Sequence, residues 1–154
     1  PDYYKKLADL IKDTIAEYYH KRITEAEFLK RTQEYEDKFF NGRSEDAPEA
    51  IAGNDAAMAF YNFSKSIYDN RADAPEAFHI ETSLATDKTV MDNIYINGKK
   101  VIEWHKDDDV VGKINISLGD SIYEILQKYN MDTDWNQIEN LIEENIKVAI
   151  LKYK

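Results

Sequence analysis

Two histidines lie close to carboxylates in the sequence, and they are the first candidates for acid–base or metal chemistry. His105 precedes Asp107, Asp108 and Asp109, and an imidazole beside carboxylates could hold a metal ion. Charge runs are more often solvated than ligating. We therefore interpret residues 105–109 as an acidic loop that follows a strand, and we expect no metal there.

His79 and Glu81 form the second pairing. The sequence offers no third group that would orient the histidine for catalysis, so we expect His79 to be a structural residue near a helix end. The phosphate-binding pattern Gly-x-x-x-x-Gly-Lys-Ser/Thr and the zinc pattern His-Glu-x-x-His are both absent from the sequence. We predict neither catalytic residues nor a cofactor for this segment.

The tyrosines are the next candidates, since there are eleven of them against six phenylalanines. A tyrosine combines an apolar ring with a polar tip, which suits a binding surface. The alternative is that the rings line the partly hydrated edge of a small core, which requires no partner. The candidate docking surface on the first three predicted helices consists of Tyr4, Tyr18, Tyr19, Tyr35, Tyr61 and Tyr68.

Basic residues are few, and the formal net charge of the chain is −10. Affinity for DNA comes mainly from lysines and arginines that neutralise phosphates, so we expect a poor independent DNA binder. On the helices, paired basic steps more simply balance nearby glutamates on a solvated face. The weak candidates for phosphate contacts are Lys21, Arg22, Lys30, Arg31, Lys99 and Lys100.

Apolar residues at spacings of three and four must supply the scaffold for these side chains. They predict a helix hairpin over 2–41, a helix over 54–68, a short helix over 73–85, and helices over 117–129 and 134–152. Thr24 with Glu27, Asn54 or Asp55, and Asp134 with Gln137 are the expected caps at helix starts.

One segment favours strands instead of helix. β-rich residues flank Asn97-Gly98, a dipeptide that favours a two-residue type I′ turn. We predict a small β-hairpin at about residues 93–104, which must pack on the helices because two strands alone are marginally stable. The expected fold is mainly α, an irregular bundle of about five or six helices with this one hairpin, in a single domain over 1–154.

Cysteine is absent from the 154 residues. This excludes disulfides, thiolate nucleophiles and cysteine-based zinc sites. No apolar run approaches the roughly 20 residues that a membrane-spanning helix needs, and no signal-peptide pattern opens the chain. We expect a cytoplasmic protein with no membrane partner.

Three segments of the sequence resemble the C-terminal region of the R subunits of type I restriction enzymes. The first runs from Tyr4 to Leu29 and includes the step Ile23-Thr24-Glu25-Ala26-Glu27-Phe28-Leu29. The second is Ala56-Ala57-Met58-Ala59-Phe60-Tyr61, similar to a family segment that ends in Ala-Phe-Tyr. The third is Asp134-Trp135 before a final helix that closes on Leu151-Lys152-Tyr153. The final helix is acidic here, whereas that of the family is rich in arginine and lysine.

The resemblance implies a helical, non-catalytic assembly domain. In such enzymes an N-terminal nuclease domain and two ATPase domains pull DNA past a methyltransferase core, and the C-terminal helices are thought to dock the motor subunit onto that core. The implied partners are the methyltransferase and specificity subunits. ATP, Mg²⁺ and DNA would be handled by the parent subunit, and none of the family's catalytic residues belongs to this segment.

Two alternatives stay open. An acidic, helical chain of this size could be a DNA-mimicking inhibitor, although residues 1–42 are nearly balanced in charge. Exposed aromatic rings beside Lys99-Lys100 could also make an accessory nucleotide-binding domain, although there is no phosphate loop.

Overall fold

Six α-helices and one short β-hairpin make up the part of the chain that the structure describes, which confirms the predicted mainly α class. The structure, a computed structural model, describes residues 2–39, 48–68 and 74–154, with side chains for 9–35, 48–68 and 74–154. The helices are α1 (Asp2–Tyr19), α2 (Glu25–Phe39), α3 (Asp55–Tyr68), α4 (Glu76–Ile94), α5 (Asp108–Lys128) and α6 (Trp135–Tyr153). The strands are β1 (Tyr95–Ile96) and β2 (Lys99–Lys100), and short 3-10 helices lie at Glu49–Ile51 and Trp104–Lys106. The predicted boundaries at residues 41 and 73 lie outside the described residues.

Side-chain caps fix the starts of three helices where the sequence predicts them. The Thr24 hydroxyl accepts from the Glu27 amide at 3.1 Å, and the Asn54 side chain accepts from the Ala57 amide at 3.0 Å. The Asp134 carboxylate accepts from the first amides of α6. Each cap satisfies a helix amide that would otherwise lack a partner.

Helix α4 is longer than predicted, because it continues through Ile94 and does not end near residue 85. Thr82, Thr86, Val90 and Ile94 follow one another at intervals of four and are all buried. The Thr86 hydroxyl donates to the Thr82 carbonyl at 2.8 Å, so its polarity is satisfied within the helix. The buried face is therefore partly polar, and a search for apolar periodicity ends the helix too early.

Helix α5 also starts earlier than predicted, at Asp108 and not at residue 117. Asp107 caps it, since its carboxylate accepts from the amides of Asp109 and Val110 at 3.0 and 3.3 Å. Carboxylates are favoured at a helix N-terminus, where amide dipoles point outward. The interpretation of this acidic run as a loop is wrong, because the run begins a helix.

The β-hairpin is confirmed but shorter than the predicted 93–104. Tyr95 pairs with Lys100 and Ile96 with Lys99, and Asn97 and Gly98 both have positive φ angles, 52° and 78°. Two positive φ angles are what a type I′ turn requires. The two strands are short because α4 extends through Ile94, directly before β1, and because the chain turns after β2 into the 3-10 helix at Trp104–Lys106.

The core lies between α3, α4, α5 and α6. Helix α3 packs against both α4 and α6, α4 packs against α5, and the α1–α2 hairpin packs against α6. The largest fully buried side chains among the described residues are Trp104, Tyr68, Phe28, Phe60 and Phe78.

Asp87 joins three helices at one point. Its carboxylate accepts from the Asn54 amide group at 3.0 Å and from the Tyr153 hydroxyl at 2.6 Å. Burial and this hydrogen bond raise the pKa of Tyr153, so the phenol stays protonated and keeps donating. The start of α3, the middle of α4 and the end of α6 are thereby held together.

We expect Asp87→Ala to lower the free energy of unfolding by about 1–3 kcal/mol, because two partly buried donors lose a charged acceptor. Urea denaturation followed by circular dichroism measures this. Asp92→Ala is the matched control, since Asp92 lies on the same helix and its carboxylate pairs with the exposed Lys88 ammonium at 2.6 Å. It should cost less than about 0.5 kcal/mol. Equal losses in the two variants would contradict the role assigned to Asp87.

Candidate functional site

Two of the six candidate docking tyrosines lie in the interior. Tyr61 is 6% exposed and its hydroxyl donates to Glu76 at 3.0 Å. Tyr68 is fully buried, with its ring edge-on to Phe78 at 5.2 Å. Residues seven apart share one helix face, and α3 is covered by both α4 and α6. Tyr61 and Tyr68 are therefore core residues, and the prediction that they belong to an exposed surface is wrong.

The other tyrosines belong to the α1–α2 hairpin. The Tyr35 hydroxyl lies 3.0 Å from the Thr14 hydroxyl and ties the two helices together. The Tyr18 ring lies 4.5 Å from that of Phe28, and Tyr19 is 46% exposed. The side chain of Tyr4 lies outside the described residues. Of the candidate tyrosines whose side chains the structure describes, only Tyr19 is exposed, so these tyrosines do not form a continuous docking surface.

A small polar cluster links this hairpin to the 3-10 helix that follows the strands. The Tyr19 hydroxyl donates to the His105 carbonyl at 3.1 Å and lies 3.4 Å from its Nδ1. The Lys106 ammonium lies 4.3 Å from the centre of the Tyr18 ring and donates to its hydroxyl. Asp108 lines the same cleft. These contacts fasten α1 to residues 104–108, a role in packing that the sequence did not reveal.

Burial, with the nearby Lys106 charge, lowers the pKa of His105. The folded protein therefore binds a proton at this site less readily than the unfolded chain does, and stability falls as pH drops below the ordinary histidine pKa of about 6.5. The loss is complete once the pH is below the folded pKa.

We expect His105→Gln to flatten the dependence of unfolding free energy on pH as the pH falls below about 6.5. Denaturant titrations at several pH values measure the slope. The unaltered chain, titrated under the same conditions, is the reference. If the slope stays the same in His105→Gln, the histidine does not carry the pH dependence.

The candidate phosphate contacts are scattered. Arg31 forms an ion pair with Glu17, and the Lys100 ammonium donates to the Lys154 carbonyl at 2.9 Å, so both are engaged within the chain. The remaining four, Lys21, Arg22, Lys30 and Lys99, lie at exposed positions.

A buried serine–histidine pair was not visible in the sequence. The Ser64 hydroxyl lies 2.7 Å from His79 Nδ1, and both residues are in the interior. Such a pair is the unit that activates a nucleophile in covalent catalysis, but a substrate must be able to reach it. Here the pair joins α3 to α4, and His79 is the fourth residue of α4, near a helix end as predicted.

A groove along α5 and α6, which we call the α5–α6 groove, presents an open apolar surface. Two hollows of about 360 and 370 Å³ form it and share Asn115, Glu139 and Ile142. One hollow reaches Lys12 and Ile15 of α1, and the other reaches Trp135. The apolar residues along the groove are Ile15, Val111, Ile116, Ile138, Ile142, Ile146, Ile150 and Trp135.

Large apolar side chains stand in solvent at one end of this groove. Ile116 is 69% exposed and Trp135 is 54% exposed. The Trp135 ring stacks on Tyr123 at 5.7 Å, with the planes 8° apart. Gly119 has no side chain to fill this end of the groove, and a methyl group placed there would contact Ile142 at 3.9 Å. Isolated apolar residues on a surface are ordinary, but a contiguous patch is typical of a binding site.

Acidic groups border the same end. Asp120 and Glu139 line the hollow beside Trp135, and neither forms an ion pair with a described residue. The Lys147 ammonium lies 3.1 Å from Glu144 and 3.7 Å from Glu143, so this lysine is already neutralised by two carboxylates. The border of the groove is therefore negative except near Lys12.

Comparison of the chain with protein-family models, curated proteins and solved structures finds no match. Within the described ranges, no three histidine, aspartate or glutamate side chains are grouped as metal ligands. No described helix is both long and apolar enough to span a bilayer.

Proposed function

We propose that this chain is a non-catalytic assembly domain of an ATP-dependent, DNA-translocating type I restriction endonuclease subunit. Its role is to hold the motor subunit to the methyltransferase core. The observation that carries the proposal is the α5–α6 groove, an apolar surface with no covering element among the described residues. The segments that resemble the family supply the restriction context.

The resemblance also sets the partners that we propose. They are the methyltransferase and specificity subunits, in the cytoplasm, with DNA, ATP and Mg²⁺ handled elsewhere in the parent subunit. The family-like residues have structural roles that suit an assembly domain. Thr24 and Asp134 cap helices, and Phe28 is buried between α1 and α2.

Competition tests the proposal. The 154-residue chain, added in excess, should reduce binding of a full motor subunit to its methyltransferase core in a pull-down or by biolayer interferometry. The chain alone should show neither ATPase nor nuclease activity. Absence of competition by a chain that is folded by circular dichroism, or turnover of ATP or DNA by the chain itself, would overturn it.

A further inference from the structure

We propose that the α5–α6 groove binds one amphipathic helix of a partner protein, with lysine or arginine residues flanking the helix's apolar face. This inference rests on the proposed assembly function and names the surface and the chemistry of its partner. It moves the docking site away from the tyrosines of the α1–α2 hairpin.

The shape of the groove favours a helix. Its lining runs from Val111 to Asp120 along α5 and from Trp135 to Ile150 along α6. At 1.5 Å per residue these distances are about 14 and 22 Å, or roughly three to four helical turns. Helix backbones on both sides already satisfy their own amides and carbonyls, so they present no open edge to which a strand could add. Apolar side chains spaced along such a trough match the i, i+3, i+4 and i+7 anchors of a helix that docks in a groove.

The charges select among possible occupants. Asp120 and Glu139 flank the exposed Ile116 and Trp135, and Lys147 is held by its own glutamates. A second copy of this chain would bring a net charge of −10 to that border, and nucleic acid would bring phosphates. Both are repelled, whereas lysines or arginines beside an apolar stripe pair with the two carboxylates and steer the encounter.

Two synthetic peptides provide the probe. Both are 18-residue helices with the same leucine stripe, one flanked by lysines and the other by glutamates. Trp135 reports binding by a shift of its emission to shorter wavelength as it leaves water, while Trp104, which is already buried, stays constant. We expect the lysine peptide to bind more tightly than the glutamate peptide by about tenfold, from two surface ion pairs.

The variant Asp120→Lys/Glu139→Lys should reverse this preference, so that the glutamate peptide binds more tightly. The matched control Glu34→Lys/Asp92→Lys changes the net charge equally at exposed positions on α2 and α4 and should keep the lysine preference. Equal binding of both peptides to the unaltered chain would overturn the inference, as would unaltered preference in the reversed variant. Self-association that Ile116→Asp abolishes would also overturn it and would identify a second copy as the occupant.

The same variants separate this inference from the proposed function. If the chain competes with the motor subunit and Ile116→Asp competes equally well, the assembly function stands and the groove is not its docking site. If the lysine peptide binds as expected but the chain does not compete, the groove binds a basic helix and the restriction assignment fails.

Discussion

Trp104→Ala should lower the free energy of unfolding by about 3–5 kcal/mol, the range for removing a large aromatic side chain from a core. Trp104 is fully buried, and its indole Nε1 donates to the Tyr153 carbonyl at 2.6 Å. The side chain thus belongs to the core cluster and also satisfies a carbonyl at the end of α6. A domain of this size has about 5–15 kcal/mol of total stability, so the variant will be partly unfolded at elevated temperature.

Urea denaturation followed by far-ultraviolet circular dichroism measures the Trp104 effect without relying on tryptophan emission. Trp104→Phe separates the two contributions, since it keeps most of the apolar volume and loses the donor, and it should cost less than Trp104→Ala. Trp135→Ala is the matched control, because this tryptophan is about half exposed and lies in the groove. It should cost no more than about 1 kcal/mol. A small loss for Trp104→Ala would mean that residues 101–106 do not pack as described.

Phe28→Ala should lower the free energy of unfolding by a similar amount, about 3–5 kcal/mol, but its effect should be concentrated in the α1–α2 hairpin. The Phe28 ring lies 4.5 Å from Tyr18 and 6.1 Å from His105, and it is buried. It therefore joins α2 both to α1 and to the segment before α5. Without it the α1–α2 hairpin loses its main aromatic anchor and opens more readily than the rest of the domain.

Amide hydrogen exchange distinguishes this opening from global unfolding. In Phe28→Ala, amides of residues 9–35 should exchange faster relative to those of α3–α6, whereas in Trp104→Ala all helices should be affected. Leu29→Ala is the neighbouring control, because Leu29 is 44% exposed and its truncation should change stability by less than about 1 kcal/mol. Uniform acceleration across all six helices in Phe28→Ala would contradict a local anchor.

Local signals predicted several elements well. The Thr24, Asn54 and Asp134 caps and the Asn97-Gly98 turn each depend on residues within four positions of one another, so their chemistry is legible in the sequence. The two misplaced helix boundaries have a different cause. On α4 the buried face includes threonines, and at the start of α5 three aspartates look like a loop until a cap explains them.

The candidate site was harder to predict because it depends on which helix faces are covered. Tyr61 and Ile116 both belong to amphipathic helices that pack against two others, yet Tyr61 is buried and Ile116 is 69% exposed. The spacing of apolar residues does not indicate which helix, if any, packs against Tyr61 or against Ile116. If the predicted helix had begun at Asp108, a second stripe at helical spacing would have appeared, and the groove could have been suspected. That stripe consists of Gly112, Ile116, Gly119 and Tyr123.

The position of α6 in the chain has a consequence for synthesis in the cell. Helix α6 packs against α1, α2, α3 and α5, and it leaves the ribosome after all of them. At common elongation rates, on the order of ten seconds separates the appearance of α2 from that of α6. During that interval the faces of the early helices that pack against α6 are uncovered. We expect the nascent chain to engage chaperones until α6 emerges and closes the core.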